Sequence, residues 1–265
     1  MKQGKELQKK LRLKILEVSY KVRAGHIGSS LSCIDLLISI LFFQKKKEDA
    51  FILSKGHAAL ALYCCLNESG EISDELLDTF YANGTKLPAH PAPNLVKGIT
   101  FATGSLGHGF PVAAGIAKAN QLSQDDSFVY TLLSDGDTNE GTAWETAHFA
   151  VQHHLNRLIV IIDKNSIQGF DKTSDVLGDT AAAGKWREMG FEVAEIDDGH
   201  DIEAINKALE TLRSSGSDKP KFLIANTIKG NGVSYMENTV DWHYWPMNDE
   251  QYRQAVNEIN EKYHA

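Results

Sequence analysis

The sequence predicts an α/β fold, a parallel sheet with helices on both faces, and three observations carry that expectation. From residue 127 onward, strand-length apolar runs recur: "SFVYTLLS" (127–134), "RLIVIID" (157–163), "FEVAEID" (191–197) and "KFLIANTI" (221–228). They are rich in β-branched and aromatic residues, as strands buried on both faces are. Segments of helical spacing separate them, the arrangement that joins parallel neighbours.

Taken in order, residues 5–23 and 31–43 have helical apolar spacing, and "AFILS" (50–54) reads as a short buried strand. Residues 56–69 and 73–82 return to helix, the second with Ser73 and Leu76 near its start. Residues 83–109 form a loop-rich span holding three of the six prolines. Loops of that length in compact domains are often functional. Helices follow at 110–122, 140–153, near 179–189, 201–214 and near 248–262. No 20–50 residue repeat or low-complexity segment occurs, and "RSSGSDKP" (213–220) is short enough for a loop, so residues 1–265 read as one domain.

A hydrophobic content of 42% over 265 residues is enough for a sizeable core. The formal charge of -8 argues against non-specific nucleic-acid binding, and Lys45-Lys46-Lys47, beside Glu48 and Asp49, reads as a solvated loop. No apolar segment is expected to span a membrane, and the amphipathic N-terminus with its acidic residues is unlike a secretory signal, so the expected location is cytoplasmic. Cys33, Cys64 and Cys65 have an odd count, apolar neighbours and no ligand spacing, which fits buried free thiols.

Three polar, glycine-bearing corners follow predicted strands: "LLSDGDTNEG" (132–141), "DKNSIQG" (163–169) and "TIKGNG" (227–232). In parallel sheets ligands bind outside the carboxyl ends of the strands, so the corners converge where a ligand belongs. Adjacent strands would bring the Asp135 carboxylate beside the Asn165 amide, with the Ile167 carbonyl a turn further on, a set of oxygens suited to a hard cation. Gly136 lets the backbone approach a phosphate, and a helix starting near Asn139 offers free N–H groups and its positive end. By spacing alone a plain Asp-Gly turn explains the corner equally well. Neither a G-x-G-x-x-G nor a Walker A pattern precedes a helix, which disfavours nicotinamide and nucleoside-triphosphate ligands.

"SDGDTNEGTAWETAHFA" followed by "NRLIVIIDKNSIQG" resembles the thiamine-diphosphate fingerprint, Gly-Asp-Gly with an Asn about 30 residues later, the interval from Asp135 to Asn165. The more specific resemblance is to transketolases: "AGHIGSSLSCIDLL" (24–37), "FILSKGHAALALY" (51–63), "PAHP" (88–91), "TGSLGHGFPVAAGIA" (103–117) and "IANTIKGNGVSYMEN" leading to "DWHYW" (241–245). On these ordered blocks the chain is identified as a member of that family.

The resemblance implies thiamine diphosphate and Mg2+ as cofactors, with Ca2+ or Mn2+ as substitutes for the metal. It assigns Asp135, Asn165 and the Ile167 carbonyl to the metal, and Gly136 to the diphosphate, with Asp137 and His243 also among the cofactor contacts. Gly104, Ser105 and Leu106, with His57, would line the rest of the cofactor. His26, His57, His90 and His243 would surround the reacting carbon and the substrate hydroxyls, a task suited to imidazole near neutral pH. His26 and His243 are the candidates for the carbonyl and leaving hydroxyl, His90 for the two-carbon fragment. His148, His153, His154, His200 and His264 lack family contexts and are assigned to helix surfaces or loops. The chain departs from the family pattern at Ile27 for Pro, His108 for Gln, Ser134 for Gly and Asp137 for Glu; none of these removes a metal ligand.

Full transketolases carry three domains, and the matching blocks exhaust the first by about His243. The resemblance places the glutamate that activates the aminopyrimidine in the second. The expectation is therefore a two-chain transketolase that moves a two-carbon ketol unit from a ketose, expected to be phosphorylated, to an aldose. A separate subunit would supply the pyrimidine and C-terminal domains, in a two-fold heterotetramer. The alternatives are the α subunit of a thiamine-dependent 2-oxo acid dehydrogenase and a non-catalytic cofactor-binding scaffold.

Overall fold

The computed structural model describes residues 2–263, so His264 lies outside the described residues. Five strands, β1 (Ala50–Leu53), β2 (Val129–Ser134), β3 (Leu158–Lys164), β4 (Glu192–Ile196) and β5 (Lys221–Asn226), form one sheet in the order β1-β2-β3-β5-β4. Every pairing is parallel. The central strands carry the continuous apolar runs because both their faces are covered. Strand alternation divides β3 cleanly: Ile159 and Ile161 enter one core cluster, while Leu158, Val160 and Ile162 enter the other.

The first cluster packs β-residues against α1 (Lys2–Val22), α2 (Ile27–Ile38), α3 (Ala59–Glu68), α9 (Ile202–Ser214) and α10 (Asp249–Lys262). The second uses α5 (Gly109–Ser123), α6 (Gly141–Gln152) and α8 (Ala183–Met189), where the buried Trp186 stacks on Phe222 at 4.2 Å and on Trp144 at 5.1 Å. Two single-turn helices, α4 (Asp74–Leu77) and α7 (Thr173–Val176), sit in the connections.

Four expectations change. The helix expected over 73–82 is the single turn α4: the Ser73 side chain caps it by accepting from Leu76 N, but Thr79 N and Phe80 N bond only three residues back, and φ +67° at Tyr81 stops any continuation. The helix expected over 31–43 begins at Ile27 and ends in a π-helical turn, Ser39–Gln44. All twelve residues of α2 are buried, and a helix apolar on every side carries no periodic mark of its ends. Ile27–Gln44 is in fact long and apolar enough to cross a membrane by length and composition, contrary to the sequence expectation, yet 78% of that stretch is buried inside the protein. Lastly, β1 is an edge strand and only its Ile52 and Leu53 are buried.

One buried ionic cluster ties the helical layer together. Arg12 of α1 donates from Nη1 and Nη2 to the two oxygens of Asp35 of α2, at 2.7 and 2.6 Å, with both side chains fully buried. Gln8 donates to Asp35 Oδ1 at 3.0 Å. His200 lies in a loop, as expected, but not at the surface: its Nε2 accepts from Ile228 N at 2.8 Å, so Nδ1 carries the proton and donates to Asp35 at 2.7 Å. Burial alone would raise the Asp35 carboxyl; Arg12 outweighs it and holds the group below its ordinary range.

Removing one member of a buried pair strands the other charge, so Asp35→Asn should destabilise the chain by about 3 kcal/mol in urea unfolding at pH 7. Asp35 is depressed in the folded state, so its contribution is full above the ordinary carboxyl value of 3.8 and is lost on acidification below it. The gap between native chain and variant should therefore narrow in unfolding curves taken below that pH.

Candidate active site

The register Ser134↔Asp163 places the ends of β2 and β3 side by side, so the residues just beyond them meet. Asp135 is buried; its Oδ2 accepts from Ser166 N at 2.7 Å, and its Oδ1 has no hydrogen-bond partner among the described residues. Burial, then the charge of Asp163, pushes its carboxyl up to about 7. Asn165 donates to Ser32 Oγ at 3.1 Å, while its Oδ1 accepts from Ile167 N at 3.0 Å. Ser166, at φ +63°, turns the chain between Asn165 and Ile167.

An orphaned, buried carboxylate oxygen is costly in isolation and, held by Ser166 N against the turn that carries Asn165, suits a hard cation. Among the described residues no group of three His, Cys, Asp or Glu side chains could enclose a metal. The donor set therefore fits a cation that takes its other oxygens from a bound ligand and water. Gly136 starts a short 3-10 turn, Gly136–Asn139, and a Cβ there would fall 2.8 Å from Leu106 Cδ1. The backbone at this corner is thus bare, as close approach of a phosphate requires.

Asp137, expected beside the cofactor, instead has both oxygens engaged. It accepts from Ser54 Oγ at 2.6 Å, Gly107 N at 2.9 Å, Ser134 N at 2.8 Å and Ser134 Oγ at 2.7 Å. It braces the loops after β1 and β2 against the segment before α5. Ser134, in place of the fingerprint's glycine, sits in the strand without positive φ, and its hydroxyl serves that brace.

The four family histidines come together. His26 lies with its ring centroid 4.9 Å from His243, 5.5 Å from His90 and 5.8 Å from His57, and His57 lies 5.4 Å from His243. Different local devices present each ring. His26 has φ +62° and donates its N–H to His243 O at 3.0 Å; the backbone before it is pressed on Tyr244, whose O would be 2.7 Å from a Cβ on Gly25. His57 stands on the turn Gly56–Ala58, where a Cβ on Gly56 would meet Thr103 O at 2.1 Å. His243 closes the turn Asp241–His243. Gly104 lies against His90, with 3.7 Å from a Cβ there to His90 Cβ, and Gly104 and Ser105 are exposed while Leu106 is half-buried.

Burial lowers all four imidazoles. His26 falls to about 4, with His90 and Lys229 adding to burial, and His243 falls to about 3, with Lys229 the next cause. His57 lies well below its ordinary value through burial and then Lys55, and His90 is lowered by burial. At neutral pH the cluster is uncharged, each ring with one donor and one acceptor nitrogen. His108 stays outside it, exposed, with Nδ1 3.0 Å from Leu106 O. His148, His153 and His154 are surface residues of α6 and the turn after it.

Two lysines that sequence reasoning passed over belong to the site. Lys55 pairs with Asp163, both fully buried. Lys229, also buried, donates to Gln168 O at 3.1 Å and lies 3.2 Å from His243 Nδ1; burial and then Lys55 lower it to about 8. Both stand inside motif blocks, in "SKGHA" and "TIKGNG", which was the available signal.

Residues 4–263 match the model of the transketolase thiamine-diphosphate-binding domain. The chain belongs to the transketolase family. It is 38% identical to a subunit of the apulose-4-phosphate transketolase of Phocaeicola vulgatus, over 97% of this chain and 94% of that one. It is 36% identical to a 6-deoxy-6-sulfo-D-fructose transketolase subunit of Clostridium sp., over 93% and 92% of the two chains. The crystal structure of transketolase from Campylobacter jejuni superposes with a TM-score of 0.91 at 31% identity, covering 98% of this chain but 43% of that one. This transketolase-family chain thus spans nearly all of those two relatives and less than half of the C. jejuni enzyme.

The two neighbouring aspartates should respond oppositely to substitution. Asp137→Ala leaves buried donors unpaired and should cost about 3 kcal/mol. Asp135→Asn removes an under-satisfied buried carboxylate and should leave the metal-free chain as stable or more so. Urea unfolding in the presence of a chelator compares them directly.

Proposed function

We propose that this chain is the diphosphate-binding subunit of a two-chain transketolase that transfers a two-carbon ketol unit from a ketose to an aldose. The convergence of four uncharged histidines carries this reading, with Gln168 Oε1 4.0 Å from a Cβ placed on Gly136 and His243 Nε2 3.3 Å from one on the next residue, Gly169. Bound thiamine diphosphate supplies the electron sink for breaking the carbon–carbon bond next to a carbonyl. Asp135, Asn165 and the Ile167 carbonyl would hold Mg2+, and the bare backbone at Gly136 would receive the diphosphate.

The chain's own residues then position the sugar and move protons. His26 and His243, with one donor and one acceptor nitrogen each, would serve the substrate carbonyl and the leaving hydroxyl; His90 would face the two-carbon fragment, and His57 would contact both cofactor and substrate. The Lys229 ammonium, which can only donate, faces His243 Nδ1 at 3.2 Å, so the neutral ring carries its proton on Nε2 and offers the substrate a donor; the same charge disfavours protonation of the ring.

Relatives coextensive with this chain are named as subunits, which supports a separate partner carrying the pyrimidine and C-terminal domains. Two copies of each chain would form a two-fold heterotetramer. The sugars in those relatives' names, apulose-4-phosphate and 6-deoxy-6-sulfo-D-fructose, have an anionic end, so a ketose with a distal anionic group is the donor class we assign. The reaction is assigned to the cytoplasm. The 2-oxo acid dehydrogenase reading has no specific support among these observations.

The decisive measurement is ketol transfer by the purified chain with and without the partner. Transfer should require both, and full activity of this chain alone would overturn the two-chain reading. In calorimetry, Asp135→Ala should abolish magnesium-dependent binding of thiamine diphosphate to the complex; unchanged affinity would remove Asp135 from the metal. His26→Asn should retain cofactor binding and lose about 100-fold in turnover, the scale of one general acid–base group.

A further inference from the structure

A groove of about 620 Å³ opens along the free edge of the sheet, on the side of β1 away from β2. Ala50 N and Ser54 N donate to Phe128 O and Leu132 O, so by strand alternation Phe51 and Leu53 turn their main-chain groups outward to this groove. Its floor is apolar, formed by Leu53, Leu62, Leu66 and Ile99. Thr103, 2% exposed, also lines it; its Oγ1, without a hydrogen-bond partner among the described residues, lies on the Gly56 side, 2.8 Å from a Cβ built there.

The rim is cationic. Lys45, Lys47 and Lys97 line it, and among the described residues Lys47 and Lys97 make no ion pair or side-chain hydrogen bond, while Lys45 reaches only Lys46 O. Of the two carboxylates on the lining, Asp49 is engaged by Arg213 at 2.6 Å, which leaves Glu71 alone against three lysines. On a chain of formal charge -8, such an excess is local complementarity to an anion. The volume falls in the ~300–1,000 Å³ range of small-ligand sites, which are apolar with a few placed polar groups. An extended peptide is the poorer fit, because only two residues of the edge offer pairing groups and α3 contributes apolar side chains, Leu62 and Leu66, in place of a partner strand.

We propose that this groove binds a small amphipathic anion, its apolar body against Leu53, Leu62 and Leu66 and its negative head at Lys47 and Lys97. The groove holds none of the residues assigned to cofactor or substrate and is independent of the function assigned above, although it backs onto the histidine cluster, since Pro91 follows His90 and Thr103 O lies against Gly56 beside His57.

Calorimetry of the full chain with sodium octanoate as probe tests it. Octanoate should saturate a single site, and the double variant Lys47→Glu/Lys97→Glu, at two exposed positions, should bind it at least about tenfold more weakly. Octan-1-ol should bind the native chain more weakly than octanoate does and should not respond to the charge reversal. Saturation with thiamine diphosphate and magnesium should leave octanoate binding in place. The proposal is overturned by the absence of saturable heat, by equal octanoate affinity in native and variant chains, or by competition from thiamine diphosphate.

Discussion

The buried carboxylate of Asp163 is the interaction on which the rest of the site depends. It closes β3, pairs with Lys55 from the loop after β1, and accepts from Ser32 Oγ of α2 at 2.7 Å and from Thr227 Oγ1 after β5. Three corners and the core helix are therefore pinned to one group. Burial alone would discharge Lys55, but Asp163 outweighs it and holds the ammonium charged. After burial, the same negative charge raises Asp135, so one residue both organises the corner and adds to its unmet demand for a cation.

The electrostatics of the pocket follow from what surrounds that pair. Lys55 and Lys229 are the buried cations behind the histidines, and each discourages protonation of the rings nearest to it. With Lys55 paired to Asp163, the Lys229 ammonium is left beside neutral rings, and that surplus favours an anionic guest over a cationic one. Pre-set charge of this kind needs little rearrangement when a ligand arrives.

Much of this was legible in the sequence. The buried strands β2, β3 and β5 announced themselves by unbroken apolar runs, and the fingerprint residues and four histidines were named from short blocks. What escaped notice had physical reasons. The uniformly buried α2 hides its own ends, and α4 gives way to bonds three residues back and a positive φ at Tyr81 that no local pattern foretells. Asp137 was named from the fingerprint as a cofactor contact, and its bonds to Ser54 and Gly107, from distant segments, left no mark in one dimension. Lys55, Asp163 and Lys229 are long-range partners, and His200 gained its buried role from an aspartate 165 residues away.

The left-handed backbone at His26 has an evolutionary consequence. That conformation costs most L-residues about 1–2 kcal/mol, with Gly, Asn and Asp the least penalised. Neutral drift at this codon is thus screened by main-chain geometry before chemistry is consulted, and the substitutes that survive are a short list. A descendant that abandoned sugar transfer for another reaction would be expected to carry one of those three there, with the turn intact and the imidazole gone.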